Sequence, residues 1–147
     1  MKKVLITLDY DPTSQKVAER GFTMAKAMHA EIILLHVISK PVLYYTSYVG
    51  MVPQQIKNVD ELKTVAQKFL KKTKNDLGDG TIKTLIKEGD TAESILESAK
   101  KLKVDIIVLG THSRKWLENI LMGSVAESVL KHSTFPLFII PTKKEAE

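Results

Sequence analysis

With 147 residues, 44% of them hydrophobic and 27% charged, the chain has the size and balance of one globular domain, residues 1–147, able to bury a core without staples. The absence of cysteine excludes disulfides, thiolate metal sites and cysteine nucleophiles. No apolar run reaches membrane-spanning length, and the run Val4 to Leu8 behind Lys2 and Lys3 is cut by Asp9, too short for a signal peptide. The expectation is a cytoplasmic protein with no membrane partner. Net charge is +5, with lysines grouped at Lys71, Lys72 and Lys74, at Lys100, Lys101 and Lys103, and at Lys143 and Lys144. They read as a nucleic-acid surface or as solvated helix faces and a charged tail. Without aromatic residues interleaved among them or a DNA-binding motif, the second reading is favoured and no nucleic-acid partner is expected.

The first strand is expected over residues 3–9, Lys-Val-Leu-Ile-Thr-Leu-Asp. Asp11 and Pro12 form a helix start, with Asp11 as N-cap and Pro12 at the first helical position. That helix carries Val17, Ala18, Phe22, Ala25 and Met28 at helical spacing. Ile32 to Val37 form a second buried strand. Residues 38–57 break the alternation. Pro41 to Ile56 contain no charged residue and include Tyr44, Tyr45, Tyr48, Met51 and Pro53. A loop of this length reads equally as a lid, as an interaction surface, or as a segment packed on its own aromatics.

A helix from Val59 to Leu77 follows, with Val59, Leu62, Val65, Ala66, Phe69 and Leu70 on one face, ended by Gly78-Asp79-Gly80. Thr81 to Lys87 form the third strand. Asp90 caps the next helix with Glu93 at its third position, and Ala92, Ile95, Leu96, Ala99 and Leu102 line the inner face. Val104 to Leu109 form the fourth strand, whose Ile106 to Leu109 run is apolar enough to be buried on both faces. A polar turn follows from Gly110. Ser124 is expected as the N-cap of a helix over 124–131, with Glu127 completing a capping box. Phe135 to Ile140 form the fifth strand. Strands alternating with helices call for an α/β fold with a parallel sheet and right-handed crossovers.

The turn between Gly110 and Val125 carries the chemistry. Gly123 lets a ligand approach the backbone with no Cβ in the way, and the first-turn amides of the helix behind it suit an anion, phosphate above all. Arg114 can close on the same charge. Gly110, Ser113, Gly123 and Ser124 follow the spacing Gly, two residues, Gly, nine residues, Gly-Ser, with serine in the second glycine place. This stretch resembles the nucleotide motif of the universal stress protein family, in its ATP-binding subclass. Val-Leu-Ile-Thr-Leu-Asp at the start, Leu-Leu-His-Val after the first helix and Pro-Leu-Phe-Ile-Ile-Pro near the end extend the resemblance over essentially the whole chain.

The resemblance implies a doubly wound five-stranded sheet of order 3-2-1-4-5 with helices on both faces. Ligands of such sheets bind where the order reverses, here between strands one and four, so Asp9 and Gly110 should meet across one crevice. The expected nucleotide-binding residues are Thr7, Leu8, Asp9, Val37, Leu109, Gly110, Ser113, Arg114, Gly123, Ser124 and Val125. Backbone near Asp9 and Val37 can meet a purine edge, Val37 also supplying an apolar wall. The Asp9 carboxylate can accept from ribose or base donors, the alternative being that it caps the first helix. His36 reads as a packed, hydrogen-bonded histidine. His112 reads as an anion contact or a surface residue, Trp116 as packing over the turn, and Met122 as core.

No Gly-x-x-x-x-Gly-Lys-Ser/Thr loop, no Gly-x-Gly-x-x-Gly after the first strand, no His-x-x-His or Ser-Gly-Gly signature and no paired carboxylates at the phosphate-type turn are present. Binding therefore outranks turnover, with no catalytic and no protein metal residues assigned. The leading expectation is a stress-response regulator that binds ATP, with or without Mg²⁺, as a homodimer. Two others compete with it: a nucleotide-free member acting through protein association, and a slow ATPase or phosphotransferase. The C-terminal strand, Phe135 to Ile140, is apolar on both faces, a hazard on an edge unless something pairs with it, and the resemblance implies that the dimer pairs this strand antiparallel across a two-fold axis.

Overall fold

Among the described residues nine elements alternate, apolar runs forming most of the strands and helical periodicities the helices. The computed structural model describes residues 2–39, 59–111 and 123–142. In order they are β1 (Lys3–Thr7), α1 (Ser14–Ala27), β2 (Glu31–Ile38), α2 (Val59–Leu77), β3 (Lys83–Glu88), α3 (Thr91–Leu102), β4 (Ile106–Gly110), α4 (Ser124–His132) and β5 (Leu137–Ile140). The sheet order is β3-β2-β1-β4-β5, and every pairing is parallel, as the resemblance implied. The segment from Pro41 to Ile56 lies outside the described residues, as do His112, Ser113, Arg114, Trp116 and Met122.

The period of two along each strand divides the core. Val4, Ile6, Ile32, Leu34 and Val108 face α1 and α2, joined by Val17, Ala18 and Leu70. Leu5, Ile33, Leu35, Ile107 and Leu109 face α3 and α4, joined by Ile95, Ala99 and Val129. Both faces of the central strands are covered, so their sequences are continuous apolar runs. Gly21 lets α1 lie close to the sheet. A Cβ there would come within 3.0 Å of Ile6 Cδ1 and Val108 Cγ1.

Several element ends differ from the sequence expectation, each because a local hydrogen bond takes a backbone group. Helix α1 starts at Ser14 with Thr13 as N-cap, not at Asp11. The Asp11 carboxylate accepts from Thr13 N at 2.7 Å, a local turn that leaves Pro12 outside the helix. Helix α3 is capped as expected, Asp90 accepting from Glu93 N at 2.9 Å. Its other end closes on Lys103 in the left-handed region at φ 55°. Val104 N then returns to Ala99 O at 3.1 Å, so β4 begins at Ile106. Helix α4 has Gly123, not Ser124, as N-cap. The Gly123 carbonyl accepts from Glu127 N at 3.0 Å, which makes Ser124 the first helical residue and removes the expected capping box. β5 starts at Leu137, because Ser133 Oγ holds both Phe135 N and Phe135 O at 2.9 Å and Pro136 has no N–H.

Candidate functional site

The order of the sheet reverses between β1 and β4, and beyond the carboxyl ends of these strands lies a crevice open to solvent, at the switch point where ligands of such sheets bind. Its floor is Thr7, Leu8, Asp9, Leu109, Gly110 and Thr111, with Leu35 and Val37 to one side. Parallel topology directs the helix N-termini to this edge. Thr13, Ser14 and Val17 of the α1 end form one wall, Thr91 and Ile95 of α3 a second, and Gly123, Val125 and Ala126 of α4 a third.

The floor is braced by backbone and side-chain bonds. Thr7 Oγ1 donates to Val108 O at 3.1 Å, tying β1 to β4 where the crevice begins. Leu8 N donates to Leu35 O at 2.9 Å, and Leu8 O lies 2.8 Å from His36 Nδ1. Thr111 N donates to Ile140 O at 3.0 Å, and Thr142 N to Thr111 Oγ1 at 3.1 Å, closing the turn against β5. Gly123 N donates to the Thr111 carbonyl, which draws the start of α4 across the end of β4. The acid that closes the turn into α1 is Asp11; Asp9, half-buried, lines the crevice. Among the described lining residues Asp9 is the charged one.

The three helix ends are not equivalent. At α3 the Asp90 carboxylate occupies the N-terminus. At α4 the N-cap is a glycine with no side chain to offer, and the first intrahelical bond is the one from Glu127 N. The amides of Ser124, Val125 and Ala126 precede it, at the positive end of the helix dipole. Because Gly123 N is taken by Thr111, an anion here would be met by these later amides rather than by that of Gly123.

Of the residues singled out from the sequence, Thr7, Leu8, Asp9, Val37, Leu109, Gly110, Gly123 and Val125 come together around the crevice. Ser124 is exposed beside it, outside the lining. Ser113 and Arg114 lie outside the described residues. Thr111, in the turn from Gly110 that was expected to carry the chemistry, lines the crevice too, and Thr13, Ser14, Val17, Leu35, Thr91, Ile95 and Ala126 line it without having been anticipated. The signal that could have named Thr13, Ser14 and Thr91 was topological: helices that follow parallel strands start at the carboxyl edge of the sheet.

Residues 1–141 match the universal stress protein family. The chain belongs to that family. Universal stress protein MJ0531 of Methanocaldococcus jannaschii is 32% identical over 98% of this chain and 84% of its own length. Universal stress protein MJ0577 of the same organism is 30% identical over 97% of this chain and 96% of its own. The solved structure of MJ0577 superposes with a TM-score of 0.79, covering 98% of both chains. A universal stress protein solved in complex with cAMP shares the fold at a TM-score of 0.67 and 18% identity, covering 97% of this chain and 98% of its own. Among the described residues no helix of this family member is long and apolar enough to cross a membrane.

Proposed function

We propose that this universal stress protein is a cytoplasmic regulator that binds an adenine nucleotide, ATP first, in the crevice between β1 and β4. The observation that carries the reading is the glycine-capped start of α4 set across the crevice from Asp9, while the neighbouring α3 end keeps its own acid cap. An anion is favoured at the α4 end and disfavoured at the α3 end. The base lies toward Val37, walled by its side chain. Asp9 accepts from the ribose, and the amides from Ser124 to Ala126, with Gly110, Ser113 and Arg114 of the same motif, take the phosphates. That a relative of this fold was solved with cAMP supports a nucleotide ligand. Mg²⁺, where present, would be carried by the nucleotide's phosphates.

The protein acts as a homodimer through the outer edge of β5, presenting the nucleotide-dependent surface to protein partners. The test is mass spectrometry of nucleotide retained through purification, followed by a melt with and without millimolar Mg-ATP. A ligand selective for the folded state at about 100 times its dissociation constant adds roughly 2.7 kcal/mol. A melting shift with ATP but not with inorganic phosphate is the expected result. No shift with ATP, ADP or cAMP would support the nucleotide-free association module instead. Time-dependent ADP release from purified protein would support the slow ATPase.

A further inference from the structure

We propose that His36 is a positioning residue that keeps the peptide edge of Val37 open for the ligand's base by holding the Leu8 carbonyl away from it. This rests on the nucleotide reading above.

Residues 31, 33, 35 and 37 of β2 direct their N–H and C=O toward β1. Glu31 N donates to Lys2 O at 2.8 Å, and Leu8 N donates to Leu35 O at 2.9 Å. The next rung of a parallel ladder would run from Val37 N to Leu8 O. Among the described residues no Val37–Leu8 backbone bond takes that place, and the Leu8 carbonyl lies 2.8 Å from His36 Nδ1. A carbonyl only accepts, so Nδ1 carries the proton and donates.

The ring is held in that pose. It stands edge-on to Phe69, with centroids 5.9 Å apart at 75°, and Phe69 in turn meets Tyr10 at 5.1 Å. Meanwhile β2 runs on past the end of β1, pairing β3 through Val37↔Lys87 and Ile38↔Glu88. Val37 is therefore fixed on its β3 side while its other edge looks over the end of β1 into the crevice it lines. N–H and C=O of one strand residue point the same way. An open Val37 edge thus offers a donor and an acceptor side by side, the complement of the acceptor and donor on a purine's Watson–Crick edge.

The experiment uses full-length protein, Mg-ATP and inorganic tripolyphosphate as probes, and amide exchange by NMR. His36→Phe keeps a ring against Phe69 and removes the donor. His36→Asn places an amide nitrogen near the position of Nδ1. We expect His36→Phe to weaken ATP about tenfold, the scale of one lost hydrogen bond in a buried site, with tripolyphosphate affinity unchanged. His36→Asn should restore ATP affinity. Without ligand, the Val37 amide should exchange fast in the wild type and slow in His36→Phe, as the Leu8 carbonyl swings back to complete the rung. Core amides of β1 and β4 report whether the variant is folded; if it is not, the wild-type Val37 rate and His36→Asn decide. A Val37 amide already protected in the wild type, or parallel loss of ATP and tripolyphosphate, overturns the role of His36. Wild type that binds no nucleotide overturns the nucleotide reading, a separate failure that the exchange rates distinguish.

Discussion

Gly123 carries three demands at once. It is the N-cap of α4, its amide is bonded to the Thr111 carbonyl, and it lines the crevice. Its backbone, φ −71° and ψ 165°, is one that any residue adopts, so its conformation does not ask for glycine, and on the nucleotide reading clearance for the ligand does. Gly123→Val should cost about 1 kcal/mol of folding through a poorer cap, a melting drop of roughly 2–4 °C, and abolish the ATP-induced melting shift. An unfolded variant, or one that still shifts with ATP, would remove the phosphate assignment from this turn. Ser113 poses a different question, since it stands in a glycine place of the motif. Serine is small and its hydroxyl can donate to a phosphate or ribose oxygen. The wild type and Ser113→Gly should both shift with Mg-ATP; a shift confined to Ser113→Gly would mean that the natural protein has lost the ligand while keeping the fold.

Helix α1 owes its place over β1 and β4 to Gly21, whose missing side chain leaves room for Ile6 and Val108. Gly21→Val would drive three side-chain carbons into a filled layer and should destabilise by about 1–3 kcal/mol in a urea titration; an equally stable variant would show that the helix can lift without loss. The turn between α2 and β3 carries a pH dependence. Thr81 donates its hydroxyl to Asp79 at 2.6 Å and its amide at 2.9 Å, and Lys26 lies 3.3 Å away. These hold the Asp79 carboxyl below its ordinary 3.8, the Thr81 hydroxyl foremost. A carboxyl lowered in the folded state stabilises above its unfolded value and loses that contribution as pH falls through the folded one. Thr81→Val should therefore be less stable than wild type at pH 7, with the difference closing below about pH 4. A gap that persists at pH 2 would assign the loss to packing. Among helix starts, the sequence alone identified α3, where Asp90 and Glu93 stand at capping distance. It misplaced α1 and α4, where an acid or a glycine two or one residues away offered a competing bond that composition does not rank.

At the scale of the molecule, the alternation of apolar runs with helical periodicity was enough to call for a parallel sheet, while its order came from the family resemblance that the motif from Gly110 to Ser124 carries. The crevice floor was legible for the same reason, since Thr7, Asp9 and Gly110 sit at strand ends that any reader of the runs would mark. Its walls were not, because Val17, Ile95 and Ala126 look like core residues in sequence and become lining only where helices splay at the sheet's edge. The outer face of β5 bears on assembly. Ile107 N donates to Pro136 O and Thr111 N to Ile140 O, both at 3.0 Å, so the even residues of this segment turn their peptide groups toward β4. Leu137 and Ile139 then turn theirs outward, to an edge that a second chain can pair with. Phe138, in register with Val108, is 37% exposed where α1 and α2 do not cover it. Proline is tolerated on an edge strand when its nitrogen faces away from the sheet. Ile139→Pro should thus keep the β4 ladder and the fold while removing the outward donor. Light scattering at micromolar concentration should read a dimer for the wild type and a monomer for Ile139→Pro, with Phe138→Lys weakening the dimer independently. A wild-type monomer, or an Ile139→Pro variant that stays dimeric, would place the assembly surface elsewhere than on β5.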